Sequence, residues 1–338
     1  MYKTIWKFVT LVTIFICSPC FAAKTIDEIK ERGYLICGVS QGLPGFSFTN
    51  DDGSWDGLDV DICRATATAI FKDPTKVRFR PLSAKERFTA LQSGEIDLLS
   101  RNTTWTFHRD AALGLEFTNI VFYDGQGFLV PKELSIKSFG DLSGATFCTQ
   151  SGTTTELNLA DYCRANNIPY QIITFDTADE VVSAYQSGRC DVFTSDKSGL
   201  AARRTSLKNP DAHEILDLTI SKEPLGPSVR QYDSQWADLV RWVVNGLITA
   251  EELGITKENV NVQLKSKNPK TQRLLGVNDN FGISLGVDKD FMVNVISSLG
   301  NYGEIYTKNL GPQTPMNIPR GQNALWENGG LLYSPPFR

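Results

Sequence analysis

The sequence has few of the residues from which metal centres are built. Its 338 residues include two histidines, His108 and His213, and no CxxC pair of cysteines occurs after residue 22. Protein zinc sites are made mainly from histidine and from closely spaced cysteine. We therefore expect no metal and no other cofactor.

Strong net charge, biased composition and long apolar runs are also missing. The net charge is −4, and 27 glycines and 15 prolines are close to average usage. These values exclude a collagen-like or disordered chain and give no basis for nucleic-acid binding. After the N-terminus no run reaches the roughly 18 apolar residues of a transmembrane helix, because Arg241 and Asn245 interrupt the best candidate, 236–250. With 41% hydrophobic residues the chain can bury a sizeable core, and its length predicts two domains or one large one.

Residues 1–22 are predicted to be a cleaved secretory signal peptide. Lys3 and Lys7 precede a ten-residue apolar run, 8–17, which Pro19 ends. The run is too short to span a bilayer, so an uncleaved anchor is the less favoured alternative. Cleavage is expected after Ala22, or alternatively after Ala23, and the mature chain is exported.

From residue 34 onward, short apolar runs alternate with helical periodicity. Short apolar runs predict strands, and a period of 3.6 residues predicts helices. Their alternation is typical of an α/β protein with mostly parallel sheets. The predicted strands are 34–39, 77–81, 96–100, 145–148, 170–175 and 190–194, and the predicted helices are 60–71, 84–93, 154–166 and 178–187.

Three predicted helix starts have the sequence pattern of a capping box, in which a Ser or Thr and a Glu three residues later bond each other's backbone. The pairs are Ser83 with Glu86, Thr153 with Glu156, and Thr177 with Glu180. Strand-to-helix turns of this kind place helix N-termini at the carboxyl ends of the strands, where such sheets bind small ligands.

An eight-residue pattern occurs twice in the chain. Residues 90–97 and 184–191 share A-x-Q-S-G-x-x-D. The glycine suits the left-handed position after a helix, from which the chain turns into a strand. Two copies of one α/β unit predict two similar lobes, although glycine-stopped helices are common enough to recur by chance.

Two extended segments are expected to connect these lobes. Residues 121–130 are mostly apolar, and residues 221–230 contain Pro224 and Pro227. If they cross in opposite directions, the second lobe is an insertion in the first. The predicted division is 23–125 for the first part of lobe 1, 126–225 for lobe 2, and 226–338 for the second part of lobe 1, which has a helix at about 234–253 and a helical C-terminal extension.

Cysteine usage agrees with export into an oxidising compartment. Five cysteines remain after cleavage, so at least one is unpaired or intermolecular, and fifteen arrangements of two bonds exist. We predict Cys37 with Cys63, from a first strand and the helix after it, and Cys148 with Cys190, from two strands of lobe 2. Cys163 is then the free thiol, and both bonds leave the lobes free to move.

Two polar loops follow predicted strands. Residues 100–109 (SRNTTWTFHR) and 150–156 (QSGTTTE) offer hydroxyl, amide and guanidinium groups that suit a carboxylate. Each could also be a turn satisfied by its own backbone. Asp196, at another strand end, could receive an ammonium group or could cap a helix.

In combination these features resemble the periplasmic amino-acid-binding proteins of ABC transporters, family 3 of the extracellular solute-binding proteins. The resemblance rests on the signal peptide, 57–61 (GLDVD), 88–97, the loop ending at Arg109, 151–156 and 188–191. Residues 100–106, 151–161 and 323–326 (NALW) resemble the general L-amino-acid-binding branch, over nearly the whole mature chain.

The resemblance implies a fold and a function. The fold is the two-lobe type II periplasmic binding protein, in which each lobe is a mostly parallel sheet flanked by helices and lobe 2 is inserted in lobe 1. The function is capture of L-amino acids in the periplasm, by hinge closure around the ligand, and delivery to the membrane subunits of an ABC permease. A monomer is expected.

Ligand contacts are implied at matching positions. Arg109 would bind the α-carboxylate through two parallel hydrogen bonds, and Asp196 would receive the α-ammonium. The groups expected to support the carboxylate are Asn102, Thr104, Thr153 and Thr154.

The side-chain half of the pocket is less constrained by the resemblance. Arg87 matches a position where acidic-amino-acid receptors place a side-chain contact, unless it is a solvated helix arginine, and Arg101 is a weaker candidate. Leu43 and Ala84 stand where relatives commonly place an aromatic ring under the ligand side chain. A roomier and less selective pocket is expected.

Two other functions share this sequence pattern. Cyclic dehydratases and peptidoglycan-cleaving enzymes resemble the same fold, and His108 would be the acid–base candidate, although the adjacent Arg109 disfavours its charged form. A ligand sensor for a chemoreceptor would use the same binding chemistry as a transport receptor.

Overall fold

The computed structural model describes residues 25–338, so the predicted signal peptide lies outside the described residues. No helix within that range is long and apolar enough to cross a membrane. The strands are β1 Leu35–Ser40, β2 Phe48–Thr49, β3 Trp55–Asp56, β4 Val77–Leu82, β5 Leu98–Leu99, β6 Leu115–Phe117, β7 Phe122–Asp124, β8 Gln126–Pro131, β9 Thr146–Gln150, β10 Gln171–Phe175, β11 Val192–Asp196, β12 His213–Ile215, β13 Glu223–Leu225 and β14 Ser228–Arg230. The helices are α1 Thr25–Arg32, α2 Leu58–Phe71, α3 Arg87–Gln92, α4 Phe107–Ala112, α5 Thr154–Asn166, α6 Ala178–Gln186, α7 Lys197–Arg204, α8 Ser234–Glu252, α9 Val260–Gln263, α10 Pro269–Leu274, α11 Phe281–Ser284, α12 Phe291–Leu299 and α13 Tyr302–Leu310.

Two five-stranded sheets organise the fold, and we call the unit around each sheet a lobe. The first sheet has the order β4-β1-β5-β14-β6 and the second β10-β9-β11-β8-β12. In each sheet the fourth strand, β14 or β8, runs antiparallel to its neighbours, and the other four strands are parallel to one another. The predicted α/β class with mostly parallel sheets is confirmed.

The chain crosses between the lobes twice, as predicted. β7 and β13 pair antiparallel, with Glu223 opposite Asp124 and Leu225 opposite Phe122. One crossing continues into β8 of the second sheet and the other into β14 of the first, so each supplies the antiparallel strand of the sheet that it enters. The second lobe is therefore inserted in the first.

The repeated eight-residue pattern occupies equivalent positions in the two lobes. Its glycines both have left-handed backbone, with φ of 79° and 73°. The carboxylate of Asp97 accepts a hydrogen bond from the backbone N–H of Ile36 at 2.8 Å, and Asp191 accepts one from Thr146 at the same distance. Each aspartate thus joins the start of its own strand to the neighbouring parallel strand, which supports a repeated structural unit.

One predicted helix start is wrong. The helix expected from Ala84 begins at Arg87, although Ser83 and Glu86 do exchange the two bonds of a capping box. Residues 84–86 form turns, because the only backbone bond that spans them, from the Arg87 N–H to the Ser83 carbonyl, is long at 3.3 Å.

The other two capping boxes differ from each other. At α6 the predicted box between Thr177 and Glu180 is confirmed. The predicted box at α5 is wrong, although Thr153 is the N-cap residue. Its hydroxyl donates to the Gln150 carbonyl at 2.7 Å, which orients it towards the preceding turn, and it accepts no bond from the helix backbone.

The C-terminal extension packs onto the first lobe and onto one crossing. Trp236 of α8 is fully buried in the same hydrophobic cluster as α12 and α13. The side-chain amide of Asn323 accepts from the Tyr123 N–H at 2.6 Å and donates to the Tyr123 carbonyl at 3.1 Å. The Asn323 side chain therefore bonds both backbone groups of Tyr123 in β7, as the backbone of a neighbouring strand would.

Two cysteine pairs lie within disulfide distance, and both are the predicted pairs. The Cα atoms are 6.2 Å apart in Cys37–Cys63 and 5.7 Å apart in Cys148–Cys190, within the usual range for a disulfide. Cys163 is a buried free thiol in α5.

A candidate ligand-binding cleft

A cavity of about 240 Å³ lies between the two lobes. The first lobe lines it with residues 40–43, Arg101 and Asn102. The second lobe lines it with residues 177–179, Phe193, Ser195 and Arg203, among others. Its walls come from the loops at the carboxyl ends of strands in both sheets, where α/β folds bind small ligands.

Three buried arginines of the first lobe surround one side of this cleft. Arg87, Arg101 and Arg109 are 3%, 4% and 7% exposed. Within residues 25–338 none of the three forms an ion pair, whereas other arginines, such as Arg64 and Arg241, do. Burial lowers the pKa of all three guanidinium groups. The pKa of Arg87 is well below its usual value, because Arg101 and Arg109 add repulsion to the effect of burial. The pKa of Arg101 is lowered to about 10. Buried cations without a paired carboxylate are unfavourable unless an anion joins them.

Arg109 is oriented by its own loop and by an aromatic ring. Thr106 caps α4 by accepting from the Arg109 N–H at 3.2 Å, which fixes the backbone at the first turn of that helix. One terminal nitrogen donates to the Thr104 carbonyl at 2.9 Å. The guanidinium carbons of Arg109 and Arg87 lie 5.1 and 4.7 Å from the centre of the Phe88 ring, so both cations contact its π system.

Arg87 also reaches across to the second lobe. Its terminal nitrogens donate to the Thr103 hydroxyl at 3.3 Å and to the Gly152 carbonyl at 3.5 Å. Its Nε is buried without a hydrogen-bond partner. The alternative of a solvated helix arginine is therefore wrong, because the side chain is enclosed between the lobes.

Asp196 is the acidic group of the cleft. It is 8% exposed and occupies the N-cap position of α7 without capping that helix. Its carboxylate enters no hydrogen bond or ion pair that we find among residues 25–338. Burial raises its pKa well above the usual range, and the nearby Asp124 and Glu223 raise it further. Because a cation would relieve this penalty, the site favours an ammonium group.

The strand pairing explains why three acids meet here. Asp196 lies opposite Gln126 where β11 pairs with β8. Gln126 follows Asp124 by two residues. Asp124 lies opposite Glu223 at the β7–β13 pairing. Burial raises the pKa of Asp124 to about 6, although its carboxylate accepts from the backbone N–H groups of Gly125 and Ser198.

Two hydroxyls from opposite lobes meet next to Glu223. Thr104 of the first lobe and Thr154 of the second have their Oγ1 atoms 3.5 Å apart. Both hydroxyls donate to the same Glu223 oxygen, at 2.5 and 2.9 Å. Thr153 is turned away, towards the Gln150 carbonyl.

The loop that carries Arg101 and Asn102 is held by a buried acid. The Asp59 carboxylate accepts from the Asn102 N–H at 2.8 Å and from the Ser100 hydroxyl at 3.4 Å. Burial raises the pKa of Asp59 to about 7. Asn102 has left-handed backbone (φ 29°), which Asn tolerates better than most residues. Its side-chain oxygen is buried without a partner.

The structure thus brings the predicted residues together only in part. Asn102 lines the cavity directly. Thr153 bonds its own turn. The other predicted residues lie near the cavity in the interlobe region: Arg87, Thr104, Arg109, Thr154 and Asp196. Leu43 lines the cavity, and the second lobe contributes an aromatic ring, Phe193. His108 is exposed.

Sequence reasoning missed Glu223, Arg203 and Asp179. Arg203 donates to the Gly42 carbonyl and pairs with Asp179, 2.6 Å away, and so links α7 to the first lobe. An acid directly before Pro224 in the predicted crossing segment was the available sign for Glu223. Arg203 and Asp179 lie on helices with no distinguishing local pattern.

Two α/β lobes, a double crossing and a cavity between the lobes, with buried charges of both signs in the interlobe region, define a solute-binding protein of the type II periplasmic fold. Residues 35–258 match the family model "Bacterial extracellular solute-binding proteins, family 3", and the chain belongs to this family.

Named relatives cover nearly the whole chain. The general L-amino acid-binding periplasmic protein AapJ of Rhizobium johnstonii is 54% identical over 319 residues, 94% of each chain. The glutamate/glutamine/aspartate/asparagine-binding protein BztA of Rhodobacter capsulatus is 48% identical over 318 residues, also 94% of each. The solved structure of an ABC transporter periplasmic binding protein from Brucella ovis, with glutathione bound, is 54% identical and has a TM-score of 0.92, covering 94% of this chain and all of that one.

Proposed function

We propose that this chain captures L-amino acids in the periplasm and delivers them to the membrane subunits of an ABC-type permease. The observation that carries the proposal is the division of charge in the cleft. Three buried arginines belong to the first lobe and the buried Asp196 to the second, and within residues 25–338 none of the four enters an ion pair. An α-amino acid carries a carboxylate and an ammonium group on the same carbon atom and complements both sides at once.

In this proposal Arg109 pairs with the ligand α-carboxylate, and Asp196 pairs with the α-ammonium. The ligand side chain extends into the 240 Å³ cavity. Leu43 and Phe193 offer it apolar contact there, and Arg101 and Arg203 offer it cations. Such a mixed lining suits acidic and amide side chains as well as small apolar ones, in line with the names of the relatives.

The proposed domain boundaries remain those of the sequence: 23–125, 126–225 and 226–338. The pairing of β7 with β13 supports them, because the two crossings lie at residues 122–124 and 223–225. Export by the N-terminal segment and a monomeric state complete the proposal.

Binding of amino acids is tested by calorimetry with all twenty L-amino acids and with glutathione, whose γ-glutamyl end carries a free α-ammonium and α-carboxylate. We expect saturable one-to-one binding of several of them, because the site contacts chiefly the groups that all L-amino acids share. The ligand is recovered afterwards and analysed by NMR. Absence of binding to every member of the panel would refute the proposal, and a chemically altered ligand would favour an enzyme.

Ligand binding should close the cleft. Arg109 belongs to the first lobe and Asp196 to the second, so the complete set of contacts forms only when the lobes approach. We expect the radius of gyration from small-angle scattering to fall when saturating L-glutamate or L-alanine is added, and to stay constant with an amino acid that calorimetry shows not to bind. Superimposable curves with and without a bound ligand would count against a hinge.

A further inference from the structure

Glu223 is the most extensively bonded acid near the cleft, and it lies on a crossing strand rather than on a loop. It is 1% exposed. Oε2 accepts from the hydroxyls of Thr104 and Thr154, at 2.5 and 2.9 Å. Oε1 accepts from the Asn158 amide at 2.6 Å and from the Ser221 hydroxyl at 2.8 Å. Four donors converge on one side chain from both lobes and from the crossing between them.

These bonds fix the chemical character of the two threonine hydroxyls. A hydroxyl has one proton to donate and two lone pairs with which to accept. Thr104 and Thr154 each donate that proton to Oε2 of Glu223. The two Oγ1 atoms, 3.5 Å apart, present lone pairs in the remaining directions.

This arrangement changes the role expected of Thr104 and Thr154. The sequence analysis expects them to donate to the ligand carboxylate, and a hydroxyl whose proton is already used cannot do so. It can accept from a group that carries only protons, and the α-ammonium of an amino acid has three N–H donors. The strand pairing places Asp196 near the same crossing, because Asp196 lies opposite Gln126 of β8 and Glu223 lies opposite Asp124 of β7. Asp196 offers another acceptor, because its carboxylate does not cap α7.

We propose that Glu223 is a positioning residue for the ligand α-ammonium: by holding the hydroxyl protons of Thr104 and Thr154, it turns both oxygens into acceptors that bind the ammonium together with Asp196. The inference rests on the proposed function, because it needs a ligand with an ammonium group. It also separates the cleft into an accepting side, made of Asp196 and the two hydroxyls, and a donating side, made of the arginines.

The competing explanation is that Glu223 only braces the lobes through its four bonds. A brace and an orienting group both lose ligand affinity when Glu223 is removed, so that variant alone does not separate them. Asn158 does. It donates to Oε1, on the other side of the carboxylate from the threonines. Asn158→Ala weakens a brace but leaves the threonine hydroxyls pointing to Oε2.

The test measures L-glutamate and L-alanine affinity by calorimetry for wild type, Glu223→Met and Asn158→Ala, after circular dichroism shows that each variant is folded. Methionine keeps the length of the side chain and removes both acceptor oxygens. We expect Glu223→Met to weaken binding at least tenfold and Asn158→Ala to stay within threefold of wild type. Wild-type affinity in Glu223→Met, or an equal loss in Asn158→Ala, would overturn the proposal.

A second series covers the case in which Glu223→Met does not fold. Thr104→Val keeps the shape and removes the hydroxyl, whereas Thr104→Ser keeps the hydroxyl. We expect a loss of at least tenfold for valine and recovery to within threefold for serine. Valine binding as tightly as threonine contradicts the inference, and so does serine binding as weakly as valine. A wild type that binds no amino acid refutes the proposed function itself, which is a different result.

Discussion

Arg109→Ala should lower the affinity for an L-amino acid on the order of a hundredfold or more, about 2.7 kcal/mol or more of binding free energy. Arg109 is buried, and we place the ligand α-carboxylate on it. Without the guanidinium, that carboxylate would be buried without a paired cation, which is costlier than leaving it in water. Calorimetry with the best ligand of the amino-acid panel gives the number directly.

Two arginine variants make this result specific. Arg109→Lys keeps the charge but loses the planar fork that bonds both carboxylate oxygens, so an intermediate loss is expected. Arg164→Ala removes an arginine whose side chain is 80% exposed on α5, and its affinity should equal that of wild type. An Arg109→Ala protein that binds as tightly as wild type would remove Arg109 from the site.

Removing the bond between Cys148 and Cys190 should lower the free energy of unfolding by about 4 kcal/mol. The two cysteines are 42 residues apart, and the chain-entropy model gives a value of this size for a loop of that length. The variant is Cys148→Ala with Cys190→Ala, and guanidinium unfolding measures the loss. Ligand affinity should change little, because β9 and β11, which carry or adjoin these cysteines, pair within one sheet.

The matched control for the disulfide is Cys163→Ala. Cys163 is buried but unbonded, so its replacement removes only packing, about 1 kcal/mol. Peptide mapping of the non-reduced protein should yield Cys37 joined to Cys63 and Cys148 joined to Cys190. A peptide that joins Cys63 to Cys148 would contradict both the pairing and the lobe boundary.

The buried charges of the cleft carry an electrostatic cost that groups of opposite charge would offset. Arg87, Arg101 and Arg109 repel one another, and Asp196 is penalised by its own burial and by Asp124. In the proposed complex, a zwitterionic ligand offsets these costs on both sides. The three arginine side chains are already held in place by Phe88 and by backbone carbonyls, so these side chains need little ordering when a ligand binds.

Much of the fold was predictable because it depends on local patterns. Alternating runs gave strands and helices within a few residues of their observed bounds, and the repeated A-x-Q-S-G-x-x-D pattern marked the same turn in both lobes. Two helix starts were predicted wrongly, for different reasons. Thr153 bonds the preceding turn instead of capping α5. The backbone hydrogen bond from Arg87 to Ser83 is too long to extend α3 back to Ala84.

The sequence alone determined the α/β class and the residue types offered to a ligand, because periodicity, turn residues and strand-end loops are local properties of the chain. Only the tertiary structure decided how those groups are used. Glu223 is about 120 residues from Thr104 and about 70 from Thr154, and the antiparallel bridge between Thr104 and Leu225 is what brings its carboxylate next to the Thr104 hydroxyl. The direction of a hydroxyl proton depends on which acceptor lies nearest in space, and no spacing in the sequence specifies that.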